Sequence, residues 1–253
     1  MSPGPQPRRI QASLNGARLR GFHPRLPLTP GALAEDAAAC AAAGAVAVHL
    51  HPRDPAGEET LAPAVIGAAV AAVRRAAPGL PISVSTGDWI EQDDARQVAR
   101  VRAWAALPAD QRPDEASVNL AEPTAEPVML ALLEAGIGVE AGLARVADAE
   151  KLLGLGLLQR CRRVLVEIDD IAPDLALAEA RLVLARLGAE GPERQLHGFG
   201  RSAWPLARQA AALGLMLRLG LEDVSELPDG TPAPGNAALV AAGMALPPVG
   251  DVA

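Results

Sequence analysis

The sequence predicts an α/β protein, a single-domain (β/α)8 TIM barrel, on three observations. Short apolar runs alternate with Ala- and Leu-rich amphipathic stretches along the chain. Eight such pairs fit within 253 residues, a number and length that favour a closed parallel barrel over an open sheet. No Gly-x-Gly-x-x-Gly follows the first apolar run, so an open dinucleotide-binding sheet has no direct support.

The elements follow in order. The first strand is Ile10 to Leu14, and its helix runs from Pro30 to Ala43. Thr29 suits the N-cap, Pro30 suits the first turn, and Gly44 suits a left-handed C-cap. The second strand is Ala45 to His51, with a helix from Leu61 to Ala76. Apolar residues at 61, 65, 66, 69, 70 and 73 trace one buried face of that helix. The third strand, Ile82 to Ser85, leads to a helix over Glu91 to Ala105. The remaining pairs are Glu115 to Leu120 with Glu126 to Glu134, and Gly138 to Gly142 with Val146 to Leu155. Then come Arg163 to Ile168 with Pro173 to Leu187, and Leu196 to Phe199 with Ser202 to Leu213. Leu215 to Leu219 closes the set with Asn236 to Ala242. Pro228-Asp229-Gly230 and the segment Thr231 to Gly235 read as a loop over the barrel mouth. Residues 1–9 read as a flexible N-terminal segment, and 10–253 as the catalytic domain.

Composition narrows the function. Half of the residues are hydrophobic, enough for a large core. The net charge is −7, and no basic stretch is long enough to track a phosphate backbone, so nucleic acid is not an expected partner. No apolar run approaches the roughly 20 residues that span a bilayer. With no apolar stretch behind the Pro-rich start, no signal peptide is read and a cytoplasmic location is expected. Lys151 is the single lysine, and it falls in a predicted helix. A Schiff-base mechanism needs a desolvated lysine in the site, which excludes that class. Cys40 and Cys161 belong to no Cys-x-x-Cys, and neither a disulfide nor a thiol nucleophile is expected.

In such barrels the active site lies at the C-terminal ends of the strands. The second strand ends His49-Leu50-His51, and side chains two apart on a strand share a face. Both imidazoles can therefore reach into the mouth, where converging imidazoles call for a metal or an acid. The eighth strand runs into Arg218-Leu219-Gly220-Leu221-Glu222-Asp223. Strands eight and two flank strand one, so Glu222 can supply a third ligand. Two histidines and a carboxylate suit zinc with an open position; iron(II) or manganese would accept them too. Read alone, Glu222-Asp223 is better taken as a solvated acidic turn; the histidine pair and the barrel geometry favour the ligand reading.

Other polar residues stand near strand ends: Ser85, Thr86 and Asp88 after the third, Ser117 and Asn119 on the fourth. Glu140 lies within the fifth, and Glu167, Asp169 and Asp170 follow the sixth. The acidic set after the sixth strand is either functional or simply solvated. His197 is either a hydrogen-bonded interior histidine or a site residue. Arg53 and Asp54 are placed to pair and hold the loop after His51, or to form a surface ion pair.

These residues carry a family resemblance. Gly44 to Asp54, with its His49-Leu50-His51-Pro52-Arg53-Asp54, resembles the metal motif of the β-keto acid cleavage enzymes, such as the 3-keto-5-aminohexanoate cleavage enzyme. Arg218 to Asp223 resembles that family's C-terminal signature. Pro27-Leu28-Thr29-Pro30 and Ser85-Thr86-Gly87 are supporting matches, and the similarity runs from about Ala12 to Ala242. The resemblance implies a zinc barrel that is homo-oligomeric, a dimer or tetramer. It implies an acyltransferase that condenses a β-keto acid with acetyl-CoA and releases acetoacetate and a new CoA thioester by a retro-Claisen step.

Carried over residue by residue, His49, His51 and Glu222 bind zinc. Asp223 is the general base, Arg218 supports it, and Ser85 contacts the substrate. Ser117 and Glu140 fall on substrate-binding positions, with Thr86 and Asn119 beside them. The chain departs from the family pattern where Asp88-Trp89 replaces a second glycine after Gly87, and where Ser117-Val118-Asn119-Leu120 replaces an Asn-Phe-Gly element. The chain is also shorter than most relatives. These departures touch the substrate side and not the metal. The rival readings are another metal-dependent barrel lyase or isomerase, and a non-catalytic protein that binds a small acid.

Overall fold

A computed structural model describes residues 8–247 of the chain. Its eight strands form one closed barrel in which each strand pairs in parallel with its chain neighbours and β8 closes onto β1. The first half of the chain runs β1 (Ile10–Ser13), α1 (Pro30–Ala42), β2 (Ala47–Leu50), α2 (Pro63–Ala76), β3 (Ile82–Ser85), α3 (Asp88–Glu91), α4 (Asp94–Ala103) and β4 (Glu115–Asn119). The second half runs α5 (Ala125–Glu134), β5 (Gly138–Leu143), α6 (Val146–Gly154), β6 (Arg163–Ile168), α7 (Pro173–Leu187), β7 (Glu193–Gly198), α8 (Ala203–Leu213), β8 (Met216–Leu219) and α9 (Asn236–Met244). The barrel is the one expected. The expected segment over residues 1–9 lies outside the described residues, except for Arg8 and Arg9. Those two are anchored: Arg8 Nη2 donates to Pro247 O at 2.8 Å, and Arg9 pairs with Glu193.

Local sequence accounts for the element ends. Thr29 caps α1, its hydroxyl accepting from Ala32 N at 3.2 Å, with Pro30 in the first turn as expected. The single helix expected over Glu91 to Ala105 is instead two. Gln92 adopts a left-handed conformation at φ 53° and ends α3. Asp93 then caps α4 by accepting from Arg96 N at 2.8 Å. A short side chain that can cap restarts the helix, which an apolar count alone does not reveal.

The seventh strand begins at Glu193 and not at Leu196, and the reason is the character of the barrel interior. Gln11, Ser83, Glu115, Glu140, Arg163 and Gln195 are all buried inside it. Arg163 Nη2 lies 2.8 Å from a Glu115 oxygen, and its Nη1 lies 3.3 Å from a Glu140 oxygen. Gln11 Nε2 donates to Glu140 at 2.8 Å. Arg163 pairs in register with Glu193, so polar residues at the start of β7 sit on the ladder as firmly as apolar ones. Alternate residues such as Ile10, Ala12 and Leu14 complete the apolar core with the helices.

Cys40 and Cys161 are both buried and free. Burial pushes the Cys161 thiol up to about 12. Lys151 is spent on structure, donating to the carbonyls of Leu120 and Glu122 at 2.7 and 2.8 Å. Among the described residues, no helix is long and apolar enough to cross a membrane.

Candidate active site

A cavity of about 1000 Å³ opens at the C-terminal ends of the strands. His49, the third residue of β2, and His51, just past its end, both line it. Their ligand atoms and that of Glu222 all lie within 4.8 Å of one another. Glu222 sits in the turn after β8, and β8 and β2 both pair with β1, so the three side chains meet across β1 as barrel geometry requires.

The ring orientations are set from behind. His49 Nδ1 is 3.0 Å from Ser83 Oγ, and Ser83 in turn donates to Glu140. His51 Nδ1 bonds to the Glu59 carboxylate. Trp89 Nε1 donates to the other Glu59 oxygen at 3.2 Å, and the indole stacks on His51 with ring centroids 6.4 Å apart. Asn15 clamps the His51 backbone, donating to its carbonyl at 2.8 Å and accepting from its N–H at 2.9 Å. Both Nε2 atoms are thereby turned inward, 3.1 Å apart, and His51 Nε2 is 3.5 Å from Glu222 Oε1. Gly16 makes this approach possible: it adopts φ 52°, and a Cβ there would run into the Glu222 side chain.

The donor set fits a divalent cation. Two nitrogen lone pairs and a carboxylate converge at one buried point, and Glu222 Oε2 is buried without a hydrogen-bond partner. The three groups also bias one another's charge. Burial and the nearby Arg218 hold His49 well below the ordinary imidazole range. Burial also opposes charge on His51, but Glu222 and Glu59 outweigh it and lift that imidazole to about 9. Burial works against the Glu222 charge too, yet Arg218 and His51 hold it well below the usual carboxylate range.

Asp223, fully buried, lies beside this set. Its Oδ2 accepts from Ser13 Oγ at 2.5 Å, and its Oδ1 is 3.4 Å from His197 Nδ1. The other ring nitrogen of His197 is 3.3 Å from Glu167 Oε2. Burial opposes charge on His197, and Asp223 offsets this enough to raise the imidazole above its usual range. Arg218 pairs with Glu222 and not with Asp223, so its influence on Asp223 acts through space, and direct support comes from Ser13 and His197.

Eight of the residues expected in the site line the cavity: His49, His51, Ser85, Ser117, Asn119, Arg218, Glu222 and Asp223. Two do not reach it. Thr86 is buried and donates its hydroxyl to Ser117 O at 2.7 Å. Glu140, expected at a substrate-binding position, is fully buried beneath His49, bound to Ser83, Gln11 and Arg163. Glu140 lies mid-strand in β5, too deep to meet a ligand at the mouth. The expected Arg53–Asp54 pair is also absent. Arg53 instead donates to the carbonyls of Gly16, Arg18 and Gly57 at 2.8 to 3.0 Å, and Asp54 Oδ1 accepts from Glu58 N at 3.1 Å. Arg53 still braces the loop after His51, through backbone oxygens. The expected mouth loop is present, with Pro228 and Gly230 lining the cavity.

Sequence reasoning missed Ser13, Asn15, Glu59 and Ser83. Ser83 could have been found, since it shares a strand face with Ser85 and leads the same β3. Glu59 carries no such signal: it reaches His51 only because the loop folds back, pairing Arg53 with Glu59.

Fold and site together define a parallel barrel with a buried two-histidine, one-carboxylate donor set at the mouth. The chain belongs to the β-keto acid cleavage enzyme family, whose model matches residues 8–246. Among solved structures it resembles apo ObcA, with a TM-score of 0.71 and 21% identity, over 86% of this chain and 61% of that one. It likewise resembles the ternary complex of ObcA with a C4-CoA adduct and oxalate, with a TM-score of 0.67 and 20% identity, over 86% and 62% of the two chains. A 3-dehydroquinate dehydratase from Geobacillus kaustophilus matches with a TM-score of 0.59 and 12% identity, over 90% and 87%. At these identities the likeness is one of fold. The chain spans about three-fifths of the length of ObcA.

Proposed function

We propose that this protein is a zinc-dependent β-keto acid cleavage enzyme that uses acetyl-CoA as co-substrate. The observation that carries this reading is the placement of Asp223 directly beside a convergent His49–His51–Glu222 donor set. Binding a small acid needs no buried carboxylate at that point; removing a proton from it does. Family membership supports the reaction class, and a nitrogen-rich donor set with an open side suits zinc.

His49, His51 and Glu222 would hold the metal, which when bound supplies Lewis acidity at the keto oxygen. Asp223 takes the proton from the carbon between the keto and carboxyl groups. Ser13 holds Oδ2 of this base, and His197 Nδ1 stands 3.4 Å from its Oδ1, so the carboxylate is fixed from two sides. Arg218 keeps Glu222 charged and adds positive potential where negative charge develops. Ser85, Ser117 and Asn119 line the wall that orients the substrate. The carbon nucleophile attacks the acetyl thioester and displaces CoA thiolate. The thiolate then adds to the former keto carbon, carbon–carbon cleavage expels the acetoacetate carbanion, and Asp223 returns its proton to that carbon, releasing acetoacetate and the new acyl-CoA.

The test is to assay zinc-loaded protein with acetyl-CoA against a panel of β-keto acids while following acetoacetate. Acetoacetate formed in step with a new acyl-CoA is the expected result. Turnover of none of the panel, or product formation independent of acetyl-CoA, would refute the assignment.

A further inference from the structure

Asn119, the last residue of β4, lines the cavity, but the residues that orient it stand outside. Behind it Gln97 of α4 is fully buried, and its amide fits only one way round. Gln97 Nε2 donates to Thr86 O at 2.6 Å, and a carbonyl can only accept. Gln97 Oε1 accepts from Thr124 Oγ1 at 2.6 Å. The same Nε2 donates to Glu122 Oε2 at 3.2 Å. The other oxygen of Glu122, Oε1, lies 2.9 Å from Asn119 Nδ2. An ionised carboxylate only accepts, so it takes the donor end of the Asn119 amide and turns Oδ1 to the cavity. There Oδ1 lies over Gly142 of β5, 3.0 Å from the point where a Cβ would stand.

Hydrogen-bond polarity is passed along this chain. Thr86 O fixes Gln97, Gln97 fixes the far oxygen of Glu122, and the charge on Glu122 decides the rest. A neutral amide at position 122 would keep its oxygen on Gln97 Nε2 and face Asn119 with its NH2. Two NH2 groups cannot bond, so Asn119 would turn over and present Nδ2 to the cavity. A protonated carboxyl acts the same way, with its O–H toward Asn119. Burial, and then Asp88 at the start of α3, push the Glu122 carboxyl up to about 7, against the hydrogen bonds it accepts. The ammonium of Lys151 on α6 is held by the carbonyls of Leu120 and Glu122. The other members of the cluster, Gln97, Thr124 and Asn119, are neutral.

We propose that Glu122, from outside the cavity, determines specificity by fixing the hydrogen-bond polarity of Asn119: with its charge in place, the site favours a neutral substrate tail that donates a hydrogen bond, such as a hydroxyl, over one that only accepts, such as a ketone. Glu122 touches no substrate and is a positioning residue. The inference rests on the reading that the substrate occupies this cavity with its acid end at His49, His51 and Glu222. Its test reads binding and needs no turnover, so it fails independently of the proposed reaction.

Metal-loaded protein is titrated in a calorimeter with laevulinate and its longer homologues, and with the hydroxy acids of the same carbon skeletons. The ratio within each pair cancels whatever pH does to the shared carboxylate and its metal. At about pH 8 the best hydroxy acid binds about tenfold tighter than its ketone, the scale of one hydrogen bond gained and one acceptor clash avoided. That ratio falls toward one as pH drops from about 8 to about 6, the span around the Glu122 value. Glu122→Gln holds it near one throughout, and so does Asn119→Ala. A merely structural role for Glu122 would weaken both ligands alike and leave the ratio standing. Should Glu122→Gln fail to fold, the pH series on the unaltered protein and on Asn119→Ala decides alone. Binding of neither ligand, equal affinities at about pH 8, a ratio that ignores pH, or a preference that survives in either variant overturns the inference. A ratio that behaves as stated, in a protein that cleaves no β-keto acid, upholds the role of Glu122 and sinks the proposed reaction.

Discussion

The Nε2 atoms of His49 and His51 face one another at 3.1 Å, with both Nδ1 atoms already bonded, to Ser83 and to Glu59. Two neutral imidazoles held this way present lone pairs to one point, which is repulsive unless a cation or a proton lies between them. His49→Ala removes one lone pair from the set. We expect that variant to lose its metal on dialysis while the unaltered protein keeps it, as read by elemental analysis. A full metal complement in His49→Ala would show that the donor set has been misidentified.

Glu59 tests the outer layer of the same site. Its carboxylate fixes the His51 tautomer and raises the basicity of the ring. Glu59→Gln keeps the shape and loses the charge. Metal affinity, measured by competition with a chromogenic chelator, should fall about 10- to 100-fold, the usual cost of losing such a partner. Trp89→Phe keeps the ring stacked on His51 and removes only the N–H to Glu59, so its effect should be smaller. An unchanged affinity in Glu59→Gln would reduce that residue to a bystander.

Proton competition follows from the same geometry. In the metal-free protein His51 is lifted to about 9 by Glu222 and Glu59, against the opposing effect of burial. The folded value lies above that of the unfolded chain, so the proton on His51 stabilises the metal-free fold fully below about pH 6.5 and ceases to as pH rises through about 9. A metal must displace that proton. Apparent metal affinity should therefore climb by about tenfold per pH unit through this window and level off above it. Affinity that is flat across that range would mean His51 is not the protonated partner.

Asp223 and Arg218 separate chemistry from metal binding. Asp223→Asn should retain the metal yet lose at least about 10²-fold in rate, the scale of a general base. Ser13→Ala should reduce the rate less, because it loosens one oxygen of the base and leaves the carboxylate in place. Arg218 bonds directly to Glu222, so Arg218→Ala should lower metal affinity as well as rate. Near-normal turnover by Asp223→Asn on a confirmed substrate would reassign the base.

The parts of this site that could be read from sequence are those whose position follows from strand periodicity. His49 and His51 lie two apart on one strand, and Glu222 and Asp223 follow a strand that barrel closure brings beside them. Eight alternating strand–helix pairs were visible for the same reason. What stayed hidden depends on the depth of a side chain within the barrel or on where a loop returns. Glu140 reads like a site acid because β5 points it inward, yet mid-strand it meets Arg163 and Ser83 instead of a ligand. Glu167 and His197 carry no pattern that separates a solvated acid or an interior imidazole from the pair that the barrel makes of them. The polar start of β7 was lost because strand recognition expects apolar interiors, and here the interior is lined with charge.

Glu140 itself supplies the sharpest test of that distinction. A substrate-reading carboxylate at the mouth could be replaced with little effect on folding. Glu140 instead shares Arg163 with Glu115 and accepts from Gln11 in a fully buried layer. Burial, and then the repulsion of Glu140, pushes the Glu115 carboxyl up to about 7, against the pull of Arg163. Removing Glu140 leaves Arg163 paired with Glu115, but it strands the buried Gln11 amide and Ser83 hydroxyl that donate to it, at about 1–3 kcal/mol for each unsatisfied group. Glu140→Ala should therefore unfold at a clearly lower denaturant concentration, and the loss of the Ser83 bond should loosen His49 and weaken metal binding with it. If Glu140→Ala instead keeps its stability and metal affinity and changes only which β-keto acid is used, the carboxylate reads substrate after all, and its placement beneath His49 is wrong.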